Sequence, residues 1–217
     1  MISYAPGQHG KPLRSTAEIA ASYDAQARSS YVTKLRNPFF ERYGRAVGRK
    51  LAELAPTSLL DVGTGDGYTL SYALEEVRVP AVFGVDASKE RLRIAESILG
   101  PRGVTFQQMD LFSLKFEDDC FDVVMTSHAL EPNGGREREG IRELFRVARR
   151  YVLMLEPDYD FAPYEGQERM KRLGYVCNLW DAIEGLGIEV MQYETFPEIG
   201  NPANPTSCWV LKKGGTA

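Results

Sequence analysis

Residues 59–67 read Leu59-Leu60-Asp61-Val62-Gly63-Thr64-Gly65-Asp66-Gly67 and decide the fold class of this chain. An apolar run enters a turn in which every second residue is glycine, and a helix-like segment follows. This order is typical of a buried parallel strand that turns sharply into a helix. Glycine lets a ligand approach the main chain, and the helix amino end presents free N–H groups. The stretch therefore predicts a ligand-binding turn at the carboxyl end of a strand.

Similar apolar runs recur along the chain and alternate with segments of helical periodicity. Four further strands are predicted at 81–86, 104–109, 121–126 and 151–155. This alternation indicates a parallel sheet covered by helices on both faces, the doubly wound α/β class. After a predicted helix over 167–186, the strands at 187–196 and 206–212 have no helix between them. We therefore expect those two strands to be antiparallel to each other.

The first 54 residues are predicted to form a helical lid segment over one core domain at 55–217. Ser15 or Thr16 can cap a first helix to about residue 30, and Asn37-Pro38 precedes a second helix over 39–54. Residues 28–50 carry seven Lys or Arg against one Glu. This basic run is either a surface that attracts an anionic substrate or a solvated helix face, which is commoner.

Two ligands suit the glycine turn, a dinucleotide and S-adenosylmethionine. The dinucleotide pattern G-x-G-x-x-G needs a glycine at position 68, where the chain has Tyr68. Asp66 would also repel a pyrophosphate. S-adenosylmethionine instead carries an ammonium and a sulfonium, for which Asp61 supplies a carboxylate. The local chemistry therefore favours S-adenosylmethionine.

Two further acids follow the next predicted strands. Asp86 ends the second strand, nineteen positions past Gly67, and a carboxylate there can accept from both ribose hydroxyls. Asp110 follows the third strand and can accept from the adenine amino group. Ligands of open α/β sheets bind at the carboxyl ends of strands, so these acids and the glycine turn belong to one predicted site.

With these motifs in order, the chain resembles the class I S-adenosylmethionine-dependent methyltransferases over roughly residues 59–157. The glycine stretch matches the family's first motif, Val85-Asp86-Ala87-Ser88 its ribose motif and Met109-Asp110-Leu111 its adenine motif. Phe121-Asp122-Val123-Val124 with Ser127-His128-Ala129-Leu130-Glu131 resembles its fourth-strand motif. The resemblance implies a seven-stranded, mostly parallel sheet of order 3-2-1-4-5-7-6, which ends in an antiparallel C-terminal hairpin.

The resemblance also implies S-adenosyl-L-methionine as the cofactor and methyl transfer as the reaction. Aromatic residues near the amino terminus close over the cofactor in similar enzymes, which points to Tyr23 and Tyr31. The predicted cofactor-binding residues are Tyr31, Asp61, Gly63, Thr64, Gly65, Gly67, Asp86, Ala87, Asp110, Leu111 and Ser127.

His128 is the predicted catalytic residue. A neutral imidazole after the fourth strand can take a proton from an acceptor hydroxyl or amine; alternatively, it packs on the cofactor or bonds a backbone carbonyl. Glu131 is expected to cap the following turn. Three acids at 156–160 suggest a magnesium site, but such ligands begin after the fourth strand in the relatives that bind magnesium. There this chain has Ser127 and His128, so no metal is predicted.

Composition narrows the functional classes further. The net charge of −4 gives no global indication of nucleic-acid binding, and no apolar run reaches eighteen residues. Three dispersed cysteines and no secretory signal favour a cytoplasmic location.

We expect a small polar acceptor, for which an anionic metabolite such as a sugar nucleotide or surface-glycan precursor is one hypothesis. The alternatives are an RNA or protein methyltransferase and a non-catalytic module that binds an adenosyl ligand. The sequence indicates no oligomeric state.

Overall fold

The structure, a computed structural model, describes residues 14–35, 37–196, 201 and 203–214. Helices and strands follow each other along these ranges. The helices are α1 (Thr16–Leu35), α2 (Pro38–Leu54), α3 (Tyr68–Glu76), α4 (Lys89–Leu99), α5 (Glu137–Val147), α6 (Tyr164–Leu173) and α7 (Leu179–Ile183). The strands are β1 (Ser58–Val62), β2 (Ala81–Asp86), β3 (Thr105–Gln108), β4 (Phe121–Ser127), β5 (Ala148–Pro157), β6 (Ile188–Thr195) and β7 (Thr206–Lys213).

The strands form one seven-stranded sheet in the order β3-β2-β1-β4-β5-β7-β6. The first five strands are parallel, while β7 runs antiparallel to both β5 and β6. The expected strand order, the doubly wound α/β class and the C-terminal hairpin are therefore confirmed. Because β1 and β4 are central and parallel, their carboxyl ends lie side by side at one edge of the sheet.

Successive residues of the central strands enter two separate apolar cores. Leu60 and Val124 contact a core on the side of α5 and α7, whereas Leu59 and Val123 contact a core that contains α2 and α3 residues. All four side chains are fully buried. A strand buried on both faces reads as a continuous apolar run, which explains why the sequence pattern identified these strands.

Helix α2 belongs to the layer that covers the sheet. Asn37 caps its amino end, with the side-chain oxygen accepting from the Phe39 N–H at 3.1 Å, and Pro38 occupies the first turn. Val47 and Leu51 are fully buried in the second core. A Cβ atom at Gly48 would lie 2.4 Å from the Ala73 carbonyl oxygen, so α2 and α3 are in close contact.

Helix α1 packs differently, with only Ile19 and Ala27 buried along its twenty residues. Of the expected lid segment, α1 is thus the loosely packed part. It extends five residues beyond the predicted end near residue 30, up to the Asn37-Pro38 break.

The tail departs from the prediction in one respect. The single helix expected over 167–186 is two helices, because α6 ends at Gly174, whose backbone is left-handed (φ +69°). Within the described ranges, no helix combines the length and apolar character needed to cross a membrane.

Candidate functional site

The carboxyl ends of β1 to β4 open into a cavity of about 690 Å³ that α1 and the start of α2 also line. Most of the predicted site residues meet here. Those that line the cavity are Asp61, Gly63, Thr64, Gly65, Asp86, Ala87, Asp110, Leu111, Ser127 and His128. Their contact with a ligand stays a prediction, but the fold brings them to one place.

The glycine turn adopts backbone conformations that other residues rarely take. Gly63, Gly65 and Gly67 have φ values of +75°, +58° and +73°. The Gly63 and Thr64 N–H groups donate to the Val85 carbonyl at 2.8 and 3.0 Å, which ties the turn to β2. The turn is therefore a rigid floor at the end of β1.

Gly67 does not belong to the cavity lining that the described residues form. It lies at the start of α3, and a Cβ atom there would come within 3.0 Å of the Ala95 Cβ atom of α4. Its position thus indicates close helix packing, and its predicted contact with the cofactor stays a prediction.

Asp86 holds the turn from the adjacent strand. Its carboxylate accepts from the Gly65 N–H at 2.8 Å and the Ser88 N–H at 2.7 Å. Burial raises the pKa of Asp86 above its usual value, while the two N–H donors oppose the rise. Each carboxylate oxygen keeps a second lone pair, so the acid can still accept from a ligand hydroxyl.

Asp61 and Thr64 carry buried polar atoms that lack a partner. The Asp61 Oδ1 and Thr64 Oγ1 atoms make no hydrogen bond of normal geometry, although the Thr64 side chain is close enough to oppose the rise in the Asp61 pKa. Burial raises the pKa of Asp61 to about 7. An unpartnered buried carboxylate is costly unless a ligand satisfies it, and a cation does so most strongly. These residues therefore fit the ammonium and sulfonium of S-adenosylmethionine.

Asp110 lies at the other end of the cavity, beside Met109 and Leu111. Its Oδ1 atom accepts from the Phe112 N–H at 3.0 Å, and its Oδ2 atom accepts from the Thr16 hydroxyl at 2.7 Å. Apolar walls with a carboxylate at the rim suit a flat base with an amino group.

The structure does not bring Tyr31 to the cavity lining that the described residues form, and its contact with the cofactor stays a prediction. Its ring packs edge-on against Tyr68 at 6.2 Å between centroids. The α1 residues that do line the cavity are Thr16, Ile19, Tyr23, Ser30 and Lys34. They recur at helical spacing and so share one face, and Tyr31 lies beside that face.

Lys34 and Arg91 also line the cavity, although neither is among the site residues predicted from the sequence. The Lys34 ammonium bonds both carboxylate oxygens of Asp66 at 2.8 Å. The Arg91 guanidinium lies over the ring of Tyr23, 4.1 Å from its centroid. The helical spacing of Thr16, Tyr23 and Lys34 was the available signal, but it did not show which face of α1 meets the sheet.

His128 occupies a left-handed position (φ +57°) directly after β4. Its Nδ1 atom lies 2.5 Å from Glu131 Oε2, and its Nε2 atom lies 3.0 Å from the Thr206 hydroxyl. Burial lowers the pKa of His128, but the Glu131 carboxylate outweighs this and leaves it above its usual value. The Glu131 carboxylate thus favours the protonated form of His128.

Glu156 holds the turn that carries His128. This buried carboxylate accepts from the N–H groups of Ala129, Leu130 and Glu131, each at 3.1 Å. Burial raises the pKa of Glu156 to about 7. Asp158, also buried, accepts from the hydroxyls of Tyr193 and Ser207 and from backbone N–H groups. Donors thus surround two of the three acids of the suggested magnesium cluster.

Part of this chain is similar in sequence to known methyltransferases. Residues 59–150 match a family described as "Methyltransferase domain". The demethylmenaquinone methyltransferase of Porphyromonas gingivalis is 36% identical over 107 residues, covering 46% of this chain and 42% of its own. The ajmaline N-methyltransferase of Rauvolfia serpentina is 27% identical over 141 residues, which cover 59% of this chain and 48% of that protein. The chain thus spans about half the length of these curated relatives.

Solved structures extend the likeness to nearly the whole chain, at the level of the fold. Magnesium protoporphyrin IX methyltransferase from Synechocystis, with bound SAH, has a TM-score of 0.71 at 14% identity, covering 92% of this chain and 100% of its own. The [4+2]-cyclase SpnF has a TM-score of 0.69 at 15% identity, and the match covers 94% of this chain and 98% of the cyclase. One fold therefore supports more than one reaction.

The family match and the strand order agree with the acids and glycines at the cavity. Residues 59–150 match the methyltransferase-domain family and the sheet has the class I methyltransferase strand order, a likeness that implies S-adenosylmethionine as the cofactor.

Proposed function

We propose that this chain is an S-adenosylmethionine-dependent methyltransferase that acts on a small polar molecule in the cytoplasm. The observation that carries the proposal is the buried Asp61 carboxylate at the end of β1, whose Oδ1 atom has no hydrogen-bond partner. The charged side chains around it support the proposal. Four carboxylates, Asp61, Asp86, Asp110 and Glu131, line the cavity against the two bases Lys34 and Arg91.

Different residues of the cavity are placed to bind different parts of the cofactor. Asp86 and Asp110 are placed to bind the ribose and adenine ends, and Asp61 and Thr64 the cationic end. Bound there, the cofactor supplies an activated methyl group on a sulfonium. The protein then has to align the acceptor and exclude water, which α1 can do by covering the cavity.

The acceptor end is bounded by the start of α2 and by the turn after β4. Its lining combines amide side chains with three aromatic rings and a proline. The lining residues of this end are Asn37, Phe39, Phe40, Tyr43, Pro132, Asn133 and Asn201. This lining supports a small organic acceptor with a ring-shaped apolar part.

The ion pairs of the basic run do not support an anionic acceptor. Lys34 is neutralised by Asp66, Arg45 bonds three glutamates, and Lys50 bonds Glu194. Arg36 lies outside the described residues. Three of the six described bases of the run are thus paired with acids, and Lys34 is the one of the six that lines the cavity, which weakens the sugar-nucleotide hypothesis.

Calorimetric titration with S-adenosylmethionine, S-adenosylhomocysteine and NAD tests the proposal. We expect micromolar binding of both adenosyl ligands, no binding of NAD, and a loss of at least tenfold in Asp86→Ala. Asp118→Asn removes an exposed acid outside the cavity and is the matched control. Thermal melting of each variant shows whether it is folded.

The same titration separates the alternatives. Absence of adenosyl binding by the folded protein would reject the proposal. Binding without turnover on any acceptor would favour a non-catalytic module. A steep loss of acceptor affinity with salt would favour an RNA acceptor over a small molecule.

A further inference from the structure

The side chains at the acceptor end determine which nucleophiles the cavity can serve. A hydroxyl is a weak nucleophile and has to lose its proton as the new bond forms, so it requires a general base within hydrogen-bond distance. An uncharged amine attacks through its own lone pair and requires no base at that moment. The availability of a base therefore distinguishes oxygen acceptors from nitrogen acceptors.

His128 is the first candidate base, but both of its ring nitrogens already have partners. Glu131 lies at one ring nitrogen at 2.5 Å, and Thr206 at the other at 3.0 Å. In the neutral form with the proton on Nδ1 and in the charged form alike, Nδ1 donates to the carboxylate and Nε2 pairs with the hydroxyl. Neither ring nitrogen is therefore free of a partner in the structure.

Glu131 is the second candidate. Its carboxylate already accepts from His128, from the Asn204 amide at 3.3 Å and from the Tyr175 hydroxyl. Burial raises the pKa of Glu131, but His128 outweighs this and holds it below its usual value. A carboxylate of lowered pKa with three donors is a poor proton acceptor.

The remaining polar side chains near the acceptor end carry protons. Lys34 is an ammonium between the two Asp66 oxygens. Tyr43 is a buried phenol that shares a hydrogen bond of 2.7 Å with Ser127, and burial raises its pKa. Among the residues that the structure describes, those lining this end thus offer no free base.

We propose that the acceptor is an uncharged amine nitrogen on a flat apolar ring system, so that the reaction is N-methylation. This inference rests on the proposed function. The nitrogen lone pair forms the bond to the methyl carbon, and the electron pair of the carbon–sulfur bond stays on sulfur. The positive charge passes from the sulfonium to the product ammonium, which releases an N–H proton, where it has one, to water.

The surrounding side chains favour that distribution of charge. Phe39, Phe40 and Tyr43 line this end, and aromatic faces attract a cation through their quadrupoles. Phe39 and Phe40 meet edge to face with ring centroids 5.4 Å apart, so aromatic surface is concentrated at this end. An ammonium product is therefore stabilised there, whereas an anionic acceptor would not be.

Three probes on one ring scaffold test the inference: naphthalen-2-ylmethylamine, naphthalen-2-ylmethanol and naphthalene-2-carboxylate. Each is titrated into protein saturated with S-adenosylhomocysteine, at a pH near the pKa of the amine. Each is then incubated with protein and S-adenosylmethionine carrying a ¹³C-methyl group. We expect the amine to bind at least tenfold more tightly than the other two and to be the probe that gains the label.

Two cavity variants and one control complete the design. Phe40→Leu and Glu131→Gln should each reduce the preference for the amine at least threefold. Phe161→Leu, at a side chain that is 58% exposed and outside the cavity lining, should leave it unchanged. Equal or tighter binding of the alcohol or carboxylate, label on oxygen, or no measurable binding of the amine would each overturn the inference. Failure of S-adenosylhomocysteine itself to bind would instead overturn the proposed function.

Discussion

The Lys34 ammonium of α1 lies 2.8 Å from both carboxylate oxygens of Asp66 in the glycine turn. Asp66 is almost fully buried, whereas the Lys34 side chain is 21% exposed. Two more polar contacts join α1 to the cavity edge. Thr16 donates to Asp110 at 2.7 Å, and Asp24 accepts from the Ser88 hydroxyl at 2.6 Å. A helix with little apolar burial is therefore held over the site by polar contacts to the site's own elements.

Replacing Lys34 by Met should loosen α1. The variant leaves a buried carboxylate without its cation, and partial exposure of the pair limits the loss to about 1–2 kcal/mol. We expect faster hydrogen exchange over residues 16–35 and about tenfold weaker binding of S-adenosylhomocysteine. Arg28→Met, at an exposed position on the same helix, is the control. Equal effects of the two substitutions would show that the Lys34–Asp66 pair does not hold α1.

Replacing Gly63 by Ala should destabilise the protein through overlap. The added Cβ atom would lie 2.3 Å from the Ala129 Cβ atom at a φ of +75°, so the turn or the loop after β4 must move. We expect a loss of about 2–4 kcal/mol in the free energy of unfolding and of cofactor binding.

Gly103→Ala is the matched control. Gly103 also has a positive φ (+85°), but a Cβ atom there would meet nothing within 4 Å. Its cost should be only the backbone strain, about 1 kcal/mol, with binding intact. Urea unfolding of both variants measures the difference, and similar losses would show that overlap with Ala129 does not matter.

Binding of S-adenosylmethionine should strengthen as the pH rises through 7. Burial raises the pKa of Asp61 to about 7, so the acid is largely neutral at pH 6 and ionised at pH 8. A bound cation favours the ionised form, which gives roughly tenfold tighter binding at the higher pH. Calorimetry at the two pH values measures this step.

Asp61→Asn should abolish that pH step and bind weakly at both pH values. The exposed-acid variant Asp118→Asn should keep the step. If Asp61→Asn retained it in full, the titrating group would be Glu156, whose pKa burial also raises to about 7.

Asp122 should account for part of the acid lability of the fold. Burial raises its pKa, but hydrogen bonds from Thr57 and Arg149 outweigh this and lower it to about 2. The unfolded chain, with an ordinary Asp pKa of about 3.9, takes up the proton first as the pH falls. The stabilisation is thus complete above pH 4 and is lost between about pH 4 and 2, with a magnitude of about 2 kcal/mol.

Chemical unfolding of the wild type and Asp122→Asn at pH 7 and pH 2.5 measures this contribution. We expect Asp122→Asn to be less stable than the wild type at pH 7, and the difference to shrink to about a third of that value at pH 2.5. An equal difference at both pH values would assign the effect to packing rather than to the charge.

Much of the fold was predictable because its signals are local. The turn at Gly63, Gly65 and Gly67 needs backbone angles that glycine adopts easily, and the strand before it is apolar on both faces. Each signal lies within a few residues of sequence. The order of the seven strands came from family resemblance, since pairing between distant strands leaves no local pattern. The break at Gly174 was missed because an isolated glycine does not always end a helix.

The candidate site shows more clearly what the sequence determined and what the tertiary structure decided. The sequence by itself determined that Asp61, Asp86 and Asp110 follow consecutive parallel strands, and parallel strands place their carboxyl ends at one edge. Only the tertiary structure decided that Tyr23 rather than Tyr31 lines the cavity, because the rotation of α1 about its axis depends on contacts with Asp66 and Asp110. Only the tertiary structure likewise placed Thr206 beside His128, 78 residues away, and so occupied the ring nitrogen that a base would use. The sequence determines the chemistry of each side chain. Packing between distant segments decides which of its atoms already have partners.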